Sequence, residues 1–148
     1  FGIKFITWVH MMRILGASKI YLSVGELHPD VQKIFDHFVK IGYIETSVFK
    51  EPSEKISVQA LEYIMLNDCF YKAKNLYDFI MVCDTDEVTL PMIETERTWY
   101  DIFAHFKNET ERIDSFPVHQ RYFPNLVLKL NPEIPEYHYM FQHIWVEI

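Results

Sequence analysis

The chain has 148 residues, a mass of 17.8 kDa and a formal charge of −7 from 21 acidic and 14 basic residues. That length is one domain's worth, and the composition, 49% hydrophobic and 24% charged, excludes a disordered segment. No apolar run approaches the roughly 20 residues that span a bilayer, the acidic balance argues against nucleic acid as a partner, and four glycines cannot write a phosphate-cradling loop.

In chain order, Phe5, Trp8, Val9 and Met12 fall on one helical face, and Gly16 is placed to cap that helix. Residues 19–24 read as a short strand closed by Gly25. Pro29 is placed to open a second helix, with Val31, Ile34, Phe35, Phe38 and Val39 as its apolar stripe and Gly42 at its end. Residues 44–49 are β-branched and aromatic, a second strand. Ser57 is placed to cap a long helix whose face carries Val58, Leu61, Met65 and Cys69. Phe79 to Cys83 is a continuous apolar run, as in a strand buried on both faces. Thr98 to Phe106 reads as helix with Trp99, Ile102, Phe103 and Phe106 on one face, and strands are expected near 113–118 and 137–146.

The alternation of helices and strands predicts an α/β fold with a mainly parallel central sheet and helices on both faces, a Rossmann-type sandwich. Such a sheet does not begin on a helix. A first strand is expected ahead of Phe1, so residues 1–148 are expected to form a single domain cut at its N-terminus, with the C-terminal boundary left open. Cys69 and Cys83 read as two buried free thiols, since two cysteines make no disulfide framework and no zinc spacing is present. Asn108-Glu109-Thr110 is a glycosylation sequon, usable in a secretory compartment.

The informative stretch follows the apolar run: Asp84-Thr85-Asp86-Glu87-Val88, closed by Pro91. In open parallel α/β sheets, ligands bind beyond the carboxyl ends of the strands. Asp84 and Asp86 are two apart, so in extended backbone their carboxylates point the same way. Like charges so placed repel unless a cation sits between them. Oxygen donors suit Mg²⁺ or Mn²⁺, which keep waters and take substrate phosphates as further ligands. The pattern points to a divalent cation holding a diphosphate and assisting its departure.

Two enzyme classes use this context. In nucleotide-sugar glycosyltransferases of GT-A fold, a DxD pair holds metal and donor. In haloacid-dehalogenase-like phosphohydrolases, an apolar strand runs into DxDx[TV], which residues 84–88 also fit. That motif normally opens its domain, whereas here about half the chain precedes it, and no downstream acidic pair follows Glu87.

Four pieces, in order, carry a closer resemblance. They are Trp8 to Leu15-Gly16 leading to Tyr21; Gln59 followed by Leu66-Asn67-Asp68-Cys69; Asp78 to Pro91 with its D-x-D-E centre; and Tyr137-His138-Tyr139-Met140-Phe141-Gln142-His143. Together they resemble glycosyltransferase family 92, especially its insect-type members. That resemblance implies a GT-A fold and inverting transfer of a hexose, typically galactose, from a UDP-sugar to a glycan acceptor. It implies a Mn²⁺-type ion held by Asp84 and Asp86, Glu87 as a loop or donor contact, and His143 as a candidate third metal ligand, with His138 and His119 behind it. It also implies a Golgi membrane protein with this chain in the luminal catalytic domain, reaching the membrane only through a segment outside the chain.

The family pattern is not complete. Val146 stands where an Arg is expected, and Leu22-Ser23-Val24 replaces a Tyr-Asp pair after Tyr21. These departures motivate a second reading, a catalytically silent relative that binds glycans. An inverting reaction also needs a carboxylate base, for which Asp101, Glu111 and Asp114 are downstream acids. Trp99, Tyr100 and Phe103 read as core or as a sugar-stacking platform. Arg121 is placed to border an acceptor cleft, and Asp68 either orients the nucleotide site or sits on the helix surface.

Overall fold

The computed structural model describes residues 2–48, 56–106 and 115–118. The fold is mixed α/β: four helices and a parallel two-stranded sheet among the described residues. The chain divides into two compact units, one made of residues 1–17 with 85–148 and the other of residues 18–84.

In the first unit, α1 runs Gly2–Leu15 and buries Phe5, Trp8, Val9, Met11, Met12 and Leu15. The four residues of the expected stripe are all among them. Helix α1 ends in a Schellman motif. The Gly16 N–H donates to the Arg13 carbonyl at 3.2 Å and the Ala17 N–H to the Met12 carbonyl at 2.9 Å, with Gly16 at φ +109°.

Helix α4, Trp99–His105, belongs to the same unit. Its start is closed by one carboxylate. Asp101 Oδ2 accepts from the Arg97 N–H at 2.9 Å, the Thr98 N–H at 2.8 Å and the Thr98 hydroxyl at 2.9 Å. This is the acidic half of a capping box, and it satisfies donors that a helix start leaves open. Behind the helix, Phe116 packs against Phe103 and Phe106 at ring-centroid distances of 5.9 and 5.2 Å. His105 Nδ1 lies 2.6 Å from the Glu96 carboxylate, whose side chain is only 6% exposed.

The second unit holds β1, Ile20–Val24, α2, Pro29–Lys40, β2, Ile44–Val48, and α3, Val58–Ala73. The strands pair in parallel with Ile20 opposite Ile44 and Val24 opposite Val48. Lys19 fastens that register, donating to the Gly42 carbonyl at 3.1 Å and lying 3.5 Å from Glu45. Helix α2 opens with Pro29 at its first position and packs against β2, burying Phe35 and Phe38. It too closes in a Schellman motif: the Gly42 N–H donates to Val39 and the Tyr43 N–H to Phe38, at 2.9 and 3.0 Å, with Gly42 at φ +75°. Helix α3 is capped by Ser57, whose hydroxyl accepts from the Ala60 N–H at 3.2 Å, and it contacts β1.

Several expectations need correction. Residues 79–83 form no strand, and Phe79, Met81 and Val82 are exposed. A buried strand needs ladder partners on both sides, and the described sheet stops at two strands. Apolarity alone does not supply them. Residues 115–118 are likewise irregular. Cys69 and Cys83 form no disulfide and are half-buried, not buried, and partial burial pushes the Cys69 thiol up from its ordinary value. On α3, Val58 is 77% exposed, and only Ala73 of that helix is fully buried. Phe49 and residues 137–146 lie outside the described residues.

The helix ends can be tested by substitution. Gly16→Ala and Gly42→Ala each force an L side chain to positive φ and should destabilise by about 1 kcal/mol. A Cβ on Gly16 would also sit 2.9 Å from the Tyr100 ring, whereas among the described residues nothing lies within 4 Å of one on Gly42. The Gly16 variant should therefore show the larger fall in urea midpoint. For α4, hydrogen bonds from Arg97 and Thr98 hold the Asp101 carboxyl below its usual 3.8. A lowered folded pKa gives stability that is complete above the unfolded value and lost as pH falls through the folded one. Asp101→Asn should therefore flatten the loss of stability on acidification below about pH 4, read by urea unfolding at about pH 6 and about pH 3.

Candidate functional site

The acidic stretch turns. A turn occupies Thr85 and Asp86, so the expectation of extended backbone does not hold. The reason is the missing ladder: without strand partners at 79–83, nothing carries a pleat through to Asp86. Asp84 and Asp86 are exposed and Glu87 is half-buried. Asp84 ends the second compact unit and Thr85 begins the resumed part of the first.

Immediately downstream of the turn, two indoles hold the backbone. The Trp8 Nε1–H donates to the Glu87 carbonyl at 2.9 Å, and the Trp99 Nε1–H donates to the Thr89 carbonyl at 2.8 Å. Trp8 is 3% exposed. An indole N–H can only donate, and a buried one needs an acceptor. Helical spacing assigns Trp8 to packing and Trp99 to packing or sugar stacking, and in neither case reveals the hydrogen bond. The signal for this second role is a donor-bearing ring at a core position of α1.

The chemistry of the donor set suits a hard divalent cation. Carboxylates on two exposed residues, two apart in the chain, are of the type that takes an ion which keeps its waters and draws further ligands from phosphate. Among the described residues, no group of three or more His, Cys, Asp or Glu is gathered as a metal cage. His143, His138 and His119 lie outside the described residues, as do Glu111, Asp114, Arg121 and the sequon at Asn108.

Other candidate residues take definite structural places. Asp101 is held by three donors at the start of α4, and its carboxyl is pulled downward. A general base is tuned the other way, toward the operating pH, so Asp101 is a cap. Asp68 accepts from Lys72 Nζ at 2.6 Å and from the Ser47 hydroxyl at 3.3 Å, which ties α3 to β2. The Lys72 hydrogen bond is the main cause of its lowered pKa. Tyr21 on β1 meets Tyr77 edge-on at 6.2 Å, and a hydrogen bond with Tyr77, with burial, pushes its phenol up to about 12. Of the aromatic platform residues, Trp99 and Phe103 are half-buried, and Tyr100 is 64% exposed.

The model of glycosyltransferase family 92 matches residues 3–144, nearly the whole chain. No match to a curated protein or to a solved structure was found. The match spans the helix that carries Trp8, the Asp68 helix and the acidic turn together, and with it the chain belongs to glycosyltransferase family 92, whose membership indicates glycosyl transfer as its activity.

Proposed function

We propose that the chain is part of a metal-dependent inverting glycosyltransferase of GT-A type that moves a hexose, galactose by preference, from a UDP-sugar to a glycan acceptor. The observation that carries the reading is the exposed Asp84-Thr85-Asp86 turn in a chain matched almost end to end by the family. Asp84 and Asp86 would hold Mn²⁺ or Mg²⁺. That ion, when bound, supplies positive charge to the departing diphosphate. Glu87 shapes the loop through its backbone and is the proposed contact to the sugar. His143 is the proposed third ligand.

The acceptor hydroxyl must lose a proton as the new bond forms, and a carboxylate takes it. With Asp101 committed to capping α4, Glu111 and Asp114 remain of the three acids named for that role, beside a base lying outside this chain. The proposed setting is the Golgi lumen. We place the protein's membrane anchor in a segment outside this chain; among the described residues, no helix is long and apolar enough to cross a membrane.

The test is calorimetric titration of UDP into the chain with and without Mn²⁺, for the unaltered protein, Asp84→Asn and Asp86→Asn. Each variant keeps shape and loses charge. The Mn²⁺-dependent part of UDP affinity should fall at least about tenfold in both, the loss expected of a charge-assisted contact. Equal binding in all three proteins would reject the reading. Metal-dependent UDP binding without release of UDP from UDP-galactose, with glycan acceptor present, would assign the silent, glycan-binding role instead.

A further inference from the structure

We propose that Trp8 and Trp99 are positioning residues that hold the downstream side of the acidic turn, so that the Asp86 carboxylate is preorganised for a divalent cation. This rests on the cation-binding reading of Asp86 and deepens it by naming what fixes that ligand in place.

Both donors are mounted on packed helices. Trp8 lies mid-way along α1, with Phe5 and Val9 buried beside it and the Phe5 ring stacked on its own at 6.1 Å and 27°. An indole so packed cannot swing without opening the core. Trp99 is the first residue of α4, directly after Thr98, whose N–H and hydroxyl are both locked by Asp101. Each donor therefore sits on a rigid element whose own position is fixed by other contacts. Ligands supported in this way are held more closely than ligands on free loops.

The acceptors matter equally. Glu87 is the residue after Asp86, and its carbonyl oxygen belongs to the planar Glu87–Val88 peptide unit, so holding that oxygen restricts the movement of the unit next along from Asp86. The bond at Thr89 holds the chain again two residues on. Between them they leave Asp86 at the end of an anchored backbone, while its carboxylate stays exposed. All of these residues lie in one compact unit. A loop that had to find this arrangement on binding would lose affinity to the ordering.

The distinguishing experiment removes each hydrogen bond, keeping the ring shape at Trp8 and an aromatic ring at Trp99. In the full chain, Trp8 is replaced by its benzothiophene isostere, which carries sulfur in place of N–H, and separately Trp99→Phe and Asp86→Asn are made. Mn²⁺ affinity in the presence of UDP is measured by calorimetry well below the melting temperature of each protein, and melting is recorded alongside. The expected result is Mn²⁺ affinity about fivefold weaker for each tryptophan replacement, the loss of one ordinary hydrogen bond's worth. UDP affinity without metal should not change, and Asp86→Asn should lose the Mn²⁺-dependent part. Lowered melting with unchanged Mn²⁺ affinity, while Asp86→Asn loses it, would reduce both tryptophans to a structural role and overturn the proposal with the cation reading intact. Unchanged affinity in Asp86→Asn would overturn both. Should the Trp8 isostere fail to fold, Trp99→Phe decides between these outcomes, since that residue is only half-buried.

Discussion

A buried indole must give its proton to something. Trp8 is carried into the core of its unit by the apolar face of α1, and once there its N–H has to find an oxygen. It finds the Glu87 carbonyl, 79 residues along the chain. That single obligation ties the first helix to the stretch that follows the acidic turn, and Trp99 repeats it from α4 at Thr89. Packing and placement are therefore the same event here. The hydrophobic burial that stabilises α1 also locates the backbone beside Asp86.

Much of the fold is legible along the chain because its signals are local. Phe5, Trp8, Val9 and Met12 mark their face by spacing alone, and all four are buried. Gly16 and Gly42 mark helix ends because only glycine accepts their positive φ cheaply. Pro29 and Ser57 mark helix starts for equally local reasons, a missing donor and a capping oxygen. The parallel pairing of β1 and β2 follows from the helix that separates them.

The failures are non-local. Phe79 to Cys83 has strand composition, but a strand is made by its neighbours, and the described sheet ends at two strands. The extended backbone inferred for Asp84 to Asp86 falls with it. The candidate site is legible as residue types, Asp84, Asp86 and Glu87, and not as an arrangement. The indole clamps are hidden for a related reason. Aromatic residues on a helical face advertise apolar area, and the direction of an N–H depends on which distant carbonyl is brought within reach. Asp101 shows the same ambiguity from the other side, since a carboxylate three residues after Thr98 serves as well for capping as for catalysis, and only its three donors separate the two.

The division of the chain into units has a consequence for its synthesis. Residues 18–84 form one unit without interruption, whereas the other joins residues 1–17 to residues 85–148. The continuous unit can complete itself as soon as it leaves the ribosome, from pairings close in sequence, which are the fast ones. Of these elements, helix α1 emerges first and finishes last. Its apolar face stays without its final covering until more than 60 further residues have been made, at a rate of about 5–20 residues per second. For those seconds the Phe5–Trp8–Met12 face lacks the Glu87 acceptor that Trp8 takes in the finished fold, and it is an apolar surface suited to a chaperone.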